Sequence, residues 1–183
     1  MKKLAIMAVL AAAAVTVSAT EISVSGSRDS TQNGVSGYSV AVAQPVAPGL
    51  TANGMFENTK GVAGTNIDSY SVGAAYDVTK IGAVTLAAIG NIGYTDIQAT
   101  SAKGTYVQFG GQASAAVPFV KGLSTTVSVV RQLGTSAVRA ADHTEATIGL
   151  GYAVTRSIGV TASATMYDGV PGNKASLGVS YSF

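Results

Sequence analysis

Residues able to do chemistry are sparse in this chain and fall into three groups. Its single histidine, His143, follows Asp142 and precedes Glu145, a spacing that could orient an imidazole as a general base toward water or a serine hydroxyl. Glu57 and Glu145 form the second group, two carboxylates near the ends of alternating segments, where they would focus potential on cations entering a mouth. The third group is chemically quieter: Gln108, Gln112, Ser124, Ser128, Thr147 and Ser180 recur on the polar side of such segments, and they solvate rather than react. One histidine and no cysteine rule out thiolate chemistry and argue against a transition-metal centre. The glycine pair Gly149 and Gly151 lies within a strand pattern, whereas a phosphate cradle needs a strand-to-helix turn. No cofactor is implied.

The elements that must position these residues read as strands. In the final segment Ala175, Leu177, Val179, Tyr181 and Phe183 share one face, and Ser176, Gly178, Ser180 and Ser182 share the other, the period of a β-strand. The same alternation defines segments at 22–27, 37–44, 50–57, 67–78, 83–94, 105–117, 123–131, 145–154 and 158–167. Connections alternate in length: short at Pro45 to Gly49, Thr79 to Gly82, Pro118 to Gly122 and Thr155 to Ser157, and longer and polar between them. Tyr38, Phe56, Tyr70, Tyr94 and Met166 approach the rim of the long loops. Tyr76, Phe119, Tyr152, Tyr181 and Phe183 approach the other. Composition agrees: the chain is 47% hydrophobic yet has no Trp and four Phe against 22 Gly, too few large side chains to fill a soluble core at normal density.

The beginning of the chain predicts export. Met1-Lys2-Lys3 is a short basic region, Leu4 to Val15 an apolar run, and Val17-Ser18-Ala19 a small-residue cleavage site, so residues 1–19 read as a signal peptide cut after Ala19. The apolar run is short for a spanning helix. Cleavage removes Lys2 and Lys3, leaving nine basic residues of the eleven against nine acidic ones, a neutral mature chain at neutral His143. That balance excludes the concentrated basic surface of a nucleic-acid partner.

Over residues 20–183, the strand pattern and the terminal Gly178-Val-Ser-Tyr-Ser-Phe183 resemble the small Gram-negative outer-membrane β-barrel proteins of the porin-like group. The resemblance implies an all-β, closed antiparallel transmembrane up-and-down barrel, with outer-membrane lipids, lipopolysaccharide and the barrel assembly machinery as partners. Short periplasmic turns and long external loops suit that fold. Ten strands are expected, with eight as the alternative if the first segment pairs differently or 50–57 is irregular. Ten strands with such small inward residues leave a polar void that holds water, so a narrow passive pore for small solutes or ions is the leading expectation. Glu57 and Glu145 would stand at its mouth. Gln108, Gln112, Ser124, Ser128, Thr147 and Ser180 would line it. A sealed barrel filled by Met55, Ile89, Val130 or Tyr106, structural or acting through its loops, is the alternative. An outer-membrane hydrolase is the remote one: the Asp142–His143 pair is loosely similar to the aspartyl proteases called omptins. Those proteins separate the pair by one residue, and no second carboxylate pair is evident here, so the chain is read as a non-enzyme. A folded barrel should run at a shifted electrophoretic mobility that boiling abolishes; a mobility indifferent to heating would contradict the barrel.

Overall fold

The computed structural model describes residues 20–30, 36–60, 65–98, 102–135, 142–169 and 172–183; the expected signal peptide lies outside them. Ten strands follow in chain order: β1 (Glu21–Asp29), β2 (Gly37–Ala47), β3 (Leu50–Lys60), β4 (Asn66–Ile81), β5 (Val84–Ile97), β6 (Ala102–Ala116), β7 (Leu123–Gly134), β8 (His143–Ala153), β9 (Ile158–Asp168) and β10 (Asn173–Ser182). Each pairs antiparallel with its sequence neighbours, and β1 closes the ring on β10. Ten is therefore the strand number, and eight is excluded.

Closure is continuous. Glu21 faces Ser182, Val24 faces Val179 and Asp29 faces Lys174 across the β1–β10 seam. The backbone N–H of Phe183 then donates to the Thr20 carbonyl at 3.1 Å. No strand edge is left for hydrocarbon to penalise.

Because side chains alternate across the wall, one parity builds an apolar outer surface. Val72, Ile92, Phe109, Val127, Ile148 and Leu177 all point out and stay more than half exposed or close to it, a surface suited to lipid. Aromatic residues gather on it at two levels. Near the long-loop end the Tyr38 and Phe56 rings lie 5.9 Å apart and those of Phe56 and Tyr70 5.0 Å, a tilted ladder across β2, β3 and β4. At the other end Tyr181 meets Phe183 edge to face at 4.9 Å. These are the two girdles expected from the sequence.

Several strands run further than the alternation indicated. β4 has 16 residues, β5 has 14 and β6 has 15, against the 9 to 11 that a tilted membrane strand requires. At the long-loop end the extra length is held by polar cross-strand pairs: Lys103 and Asp96 form an ion pair at 3.1 Å, and Asn58 Nδ2 donates to Asp68 Oδ1 at 2.6 Å. Polar pairing prolongs the ladder where water replaces lipid. Asp68 is 1% exposed in this arrangement. At the short-turn end, β4 passes a bulge between Asp77 and Thr79 and continues to Ile81. The segment 79–82 is thus strand for three residues, and the turn is Gly82-Ala83. Gly82 takes φ +60° there, a left-handed conformation that β-branched residues avoid. Pro45, which has no N–H for a ladder, sits where β2 shifts register against β3.

Ile148 lies midway along β8 on the outer face. Ile148→Arg should lower stability in lipid vesicles by about 2–4 kcal/mol, the cost of a cation at mid-bilayer depth, measured by urea unfolding; an unchanged midpoint would mean that this face does not meet lipid.

Candidate functional site: the lumen

The opposite parity of every strand faces inward. Its residues enclose a cavity of about 470 Å³ in the long-loop half of the barrel. A smaller cavity of about 250 Å³ occupies the short-turn end, among Ser124, Gly159, Ser180 and Ser182. Thr161 on β9 lines both, and it is an exposed residue although it points inward.

Charge collects in the upper cavity. Lys174, the second residue of β10, donates from Nζ to Glu57 Oε1 of β3 at 2.7 Å. Strands β1 and β2 separate those two, so the bridge spans part of the lumen rather than one ladder rung. Both side chains are about one-fifth exposed; such a pair gains from its shortened distance but surrenders part of its hydration. The Tyr167 hydroxyl also hydrogen-bonds with Lys174. On β8, His143 and Glu145 share the inward face, with Nε2 and Oε1 2.7 Å apart, and the imidazole meets the Tyr167 ring edge-on at 5.4 Å. Asp29 completes the group on β1. Among the described residues, three carboxylates thus face one lysine, an excess of two negative charges with His143 neutral.

Around the charges, polar side chains pair along the wall. Ser25 and Ser39 hydroxyls share a hydrogen bond at 2.7 Å, Ser69 and Thr95 at 3.1 Å, and Thr147 and Thr165 at 2.9 Å. Asn91 Nδ2 donates to Gln108 Oε1 at 3.3 Å, and Gln108 Nε2 to Gln132 Oε1 at 3.0 Å, an amide ladder over β5, β6 and β7. Every one of these bonds joins adjacent strands. Glycine makes room for the habit: a Cβ on Gly73 would fall 1.9 Å from the Asn91 amide oxygen, and one on Gly159 would fall 2.8 Å from Ser180 Oγ. Side chains lie flat over a glycine of the neighbouring strand instead of reaching across the bore.

The residues singled out in the sequence take the following places. Glu57 and Glu145 both line the upper cavity, each bonded to a cationic or imidazole partner on the wall. Gln108 is the centre of the amide ladder, and Thr147 is half of a hydroxyl pair. Gln112 and Ser128 face one another across β6 and β7, both half-buried. Ser124 donates to the Gly151 carbonyl at 3.3 Å in the lower cavity, and Ser180 stands there at 8% exposure. Lys174, Tyr167 and Asp29 were missed as luminal residues, yet parity carried the signal. Lys174 is in phase with Ser176 and Ser180, Tyr167 with Thr165 and Ser163, and Asp29 with Ser25 and Ser27.

The hydrolytic grouping is not assembled. Asp142 precedes β8, and its Oδ1 accepts the Gly134 backbone N–H at 2.6 Å, which makes it a brace for the β7–β8 loop. His143 and Glu145 bond to each other on the lumen wall. Among the described residues no cluster of three or more His, Cys, Asp or Glu is placed to hold a metal ion.

No protein-family model matches the sequence, and no curated protein matches it. Solved structures do resemble it. An outer-membrane channel from Pseudomonas putida F1 superposes with a TM-score of 0.54 at 12% identity, over 93% of this chain and 97% of that one. The KdgM porin gives 0.52 at 12% identity, over 89% and 99%. Likeness at such identities speaks to architecture, and with the apolar belt and closed ladder it establishes that the chain is a ten-stranded transmembrane β-barrel of the outer-membrane type.

Proposed function

We propose that the barrel is a narrow passive pore for small hydrophilic solutes, with a preference for cations at its outer mouth. The observation that carries this reading is the way the lumen is furnished. Two cavities share Thr161, and the hydroxyl and amide side chains of the upper one bond along its wall rather than across it, which leaves room for water. Passive diffusion needs only geometry, a polar lining and a sealed outer surface. A group able to break or form a bond has no part in it.

Selectivity follows from the mouth. Asp29, Glu57 and Glu145 outnumber Lys174 there, and low-dielectric walls keep their field from being screened as it would be on an open surface. Cations are concentrated and anions repelled. Gln108, Gln112, Ser124, Ser128, Thr147 and Ser180 act as neutral lining, offering hydrogen bonds to a passing solute without fixing it. The expected signal peptide, cut after Ala19, delivers the chain to the outer membrane, where lipopolysaccharide and other lipids would cover the apolar belt.

Proteoliposomes should swell in small sugars and progressively less as the sugar grows. Under a salt gradient the reversal potential should report cation preference, and Glu57→Gln with Glu145→Gln together, which removes the excess negative charge, should bring it close to zero. No swelling with the smallest sugar in a heat-modifiable, folded preparation would instead make this a sealed barrel acting through its loops.

A further inference from the structure

Tyr106 is one of two tyrosines that line the long-loop cavity, Tyr167 being the other, and its position is unusual. It stands on β6 directly opposite Gly93 of β5. Its ring lies so close over that glycine that a Cβ there would fall 2.1 Å from Cζ and 2.4 Å from the hydroxyl oxygen. The ring points on toward β4, where Ser71 stands directly opposite Gly93. The ring therefore lies tangentially across three strands and is only 5% exposed, although it borders the upper cavity. A phenol seated anywhere else would project into the space that Met55, Tyr167 and Lys174 also border.

We propose that Tyr106 sets the bore of this barrel and that Gly93 is the notch that holds it against the wall. The proposal rests on the pore reading for its effect on transport, but the ring's position can be read without any current. A methyl group at position 93 occupies the volume of the ring tip, an overlap far inside van der Waals contact. The methyl sits on a paired strand backbone and cannot retreat, so the ring must swing. It leaves Ser71 and is driven toward the lumen axis, narrowing the long-loop cavity. Solute size cutoff thus depends on a glycine that touches no solute.

The chain has no cysteine, which allows a single reporter. Ser128→Cys places a thiol on the inward face of β7 at the level of Gln112, six residues deeper along β6 than Tyr106. In proteoliposomes, labelling by a charged, membrane-impermeant thiosulfonate entering from the mouth should slow severalfold when Gly93→Ala is added. Single-channel conductance should fall with it. Adding Tyr106→Ala to Gly93→Ala should restore both, and Tyr106→Ala alone should raise both above the parent. Heat-modifiable mobility checks that each variant is folded, and if Gly93→Ala does not fold, Tyr106→Ala alone carries the test. Unchanged labelling in Gly93→Ala would overturn the proposal, showing that the ring finds another rest, such as over Gly134 on its other side. A slowing that Tyr106→Ala fails to relieve would overturn it as well, as would no gain from Tyr106→Ala alone. A barrel without current in any variant, whose labelling still follows Tyr106, would keep the assignment of the ring and defeat the pore reading instead.

Discussion

Everything in this molecule depends on backbone hydrogen bonding that leaves no open edge. In hydrocarbon an unpaired N–H or carbonyl costs several kcal/mol, and a sheet of ten strands has two edges to lose. The β1–β10 seam removes them, running from Glu21–Ser182 to Asp29–Lys174. Once the ladder is closed, parity assigns each residue to lipid or to lumen, and a one-residue slip would exchange the two faces entirely. The apolar belt and the polar interior are two readings of one register.

A closed ring of ten strands could still be filled. Here the interior combines small residues with longer ones laid sideways, and glycine is the device. Asn91 covers Gly73, Tyr106 covers Gly93 and Ser180 covers Gly159, each directly opposite its partner on the adjacent strand. Such pairing covers glycine backbone in the manner of aromatic rescue and spends little of the lumen's width. The charges at the mouth obey a different logic. The Lys174–Glu57 bridge leaps over two strands, so it ties β10 to β3 across part of the rim.

Much of this was legible in the amino-acid order because a period of two survives in a membrane strand. Leu177, Val179 and Tyr181 against Ser176, Gly178 and Ser180 gave both face and direction, and the alternation of loop lengths gave strand number. The ends were harder to read. The bulge at Asp77/Thr79 broke the period where β4 continued to Ile81, and the Asp96–Lys103 and Asn58–Asp68 pairs prolonged strands with residues that resemble loop chemistry. Within the lumen, parity placed Gln108, Thr147 and Ser180 on the inward wall. It could not show that Lys174 reaches Glu57 from three strands away, or that Tyr106, a candidate plug by size, lies flat. Those facts depend on the curvature of the ring and on which glycine stands opposite.

The central claim is that the lumen is continuous and wet. Single-channel recording of the refolded, heat-modifiable protein in a planar bilayer tests it most directly. Discrete, reproducible conductance steps, larger with Tyr106→Ala and biased toward cations, are the result this account predicts. A folded barrel that inserts and gives no steps at any voltage would contradict it.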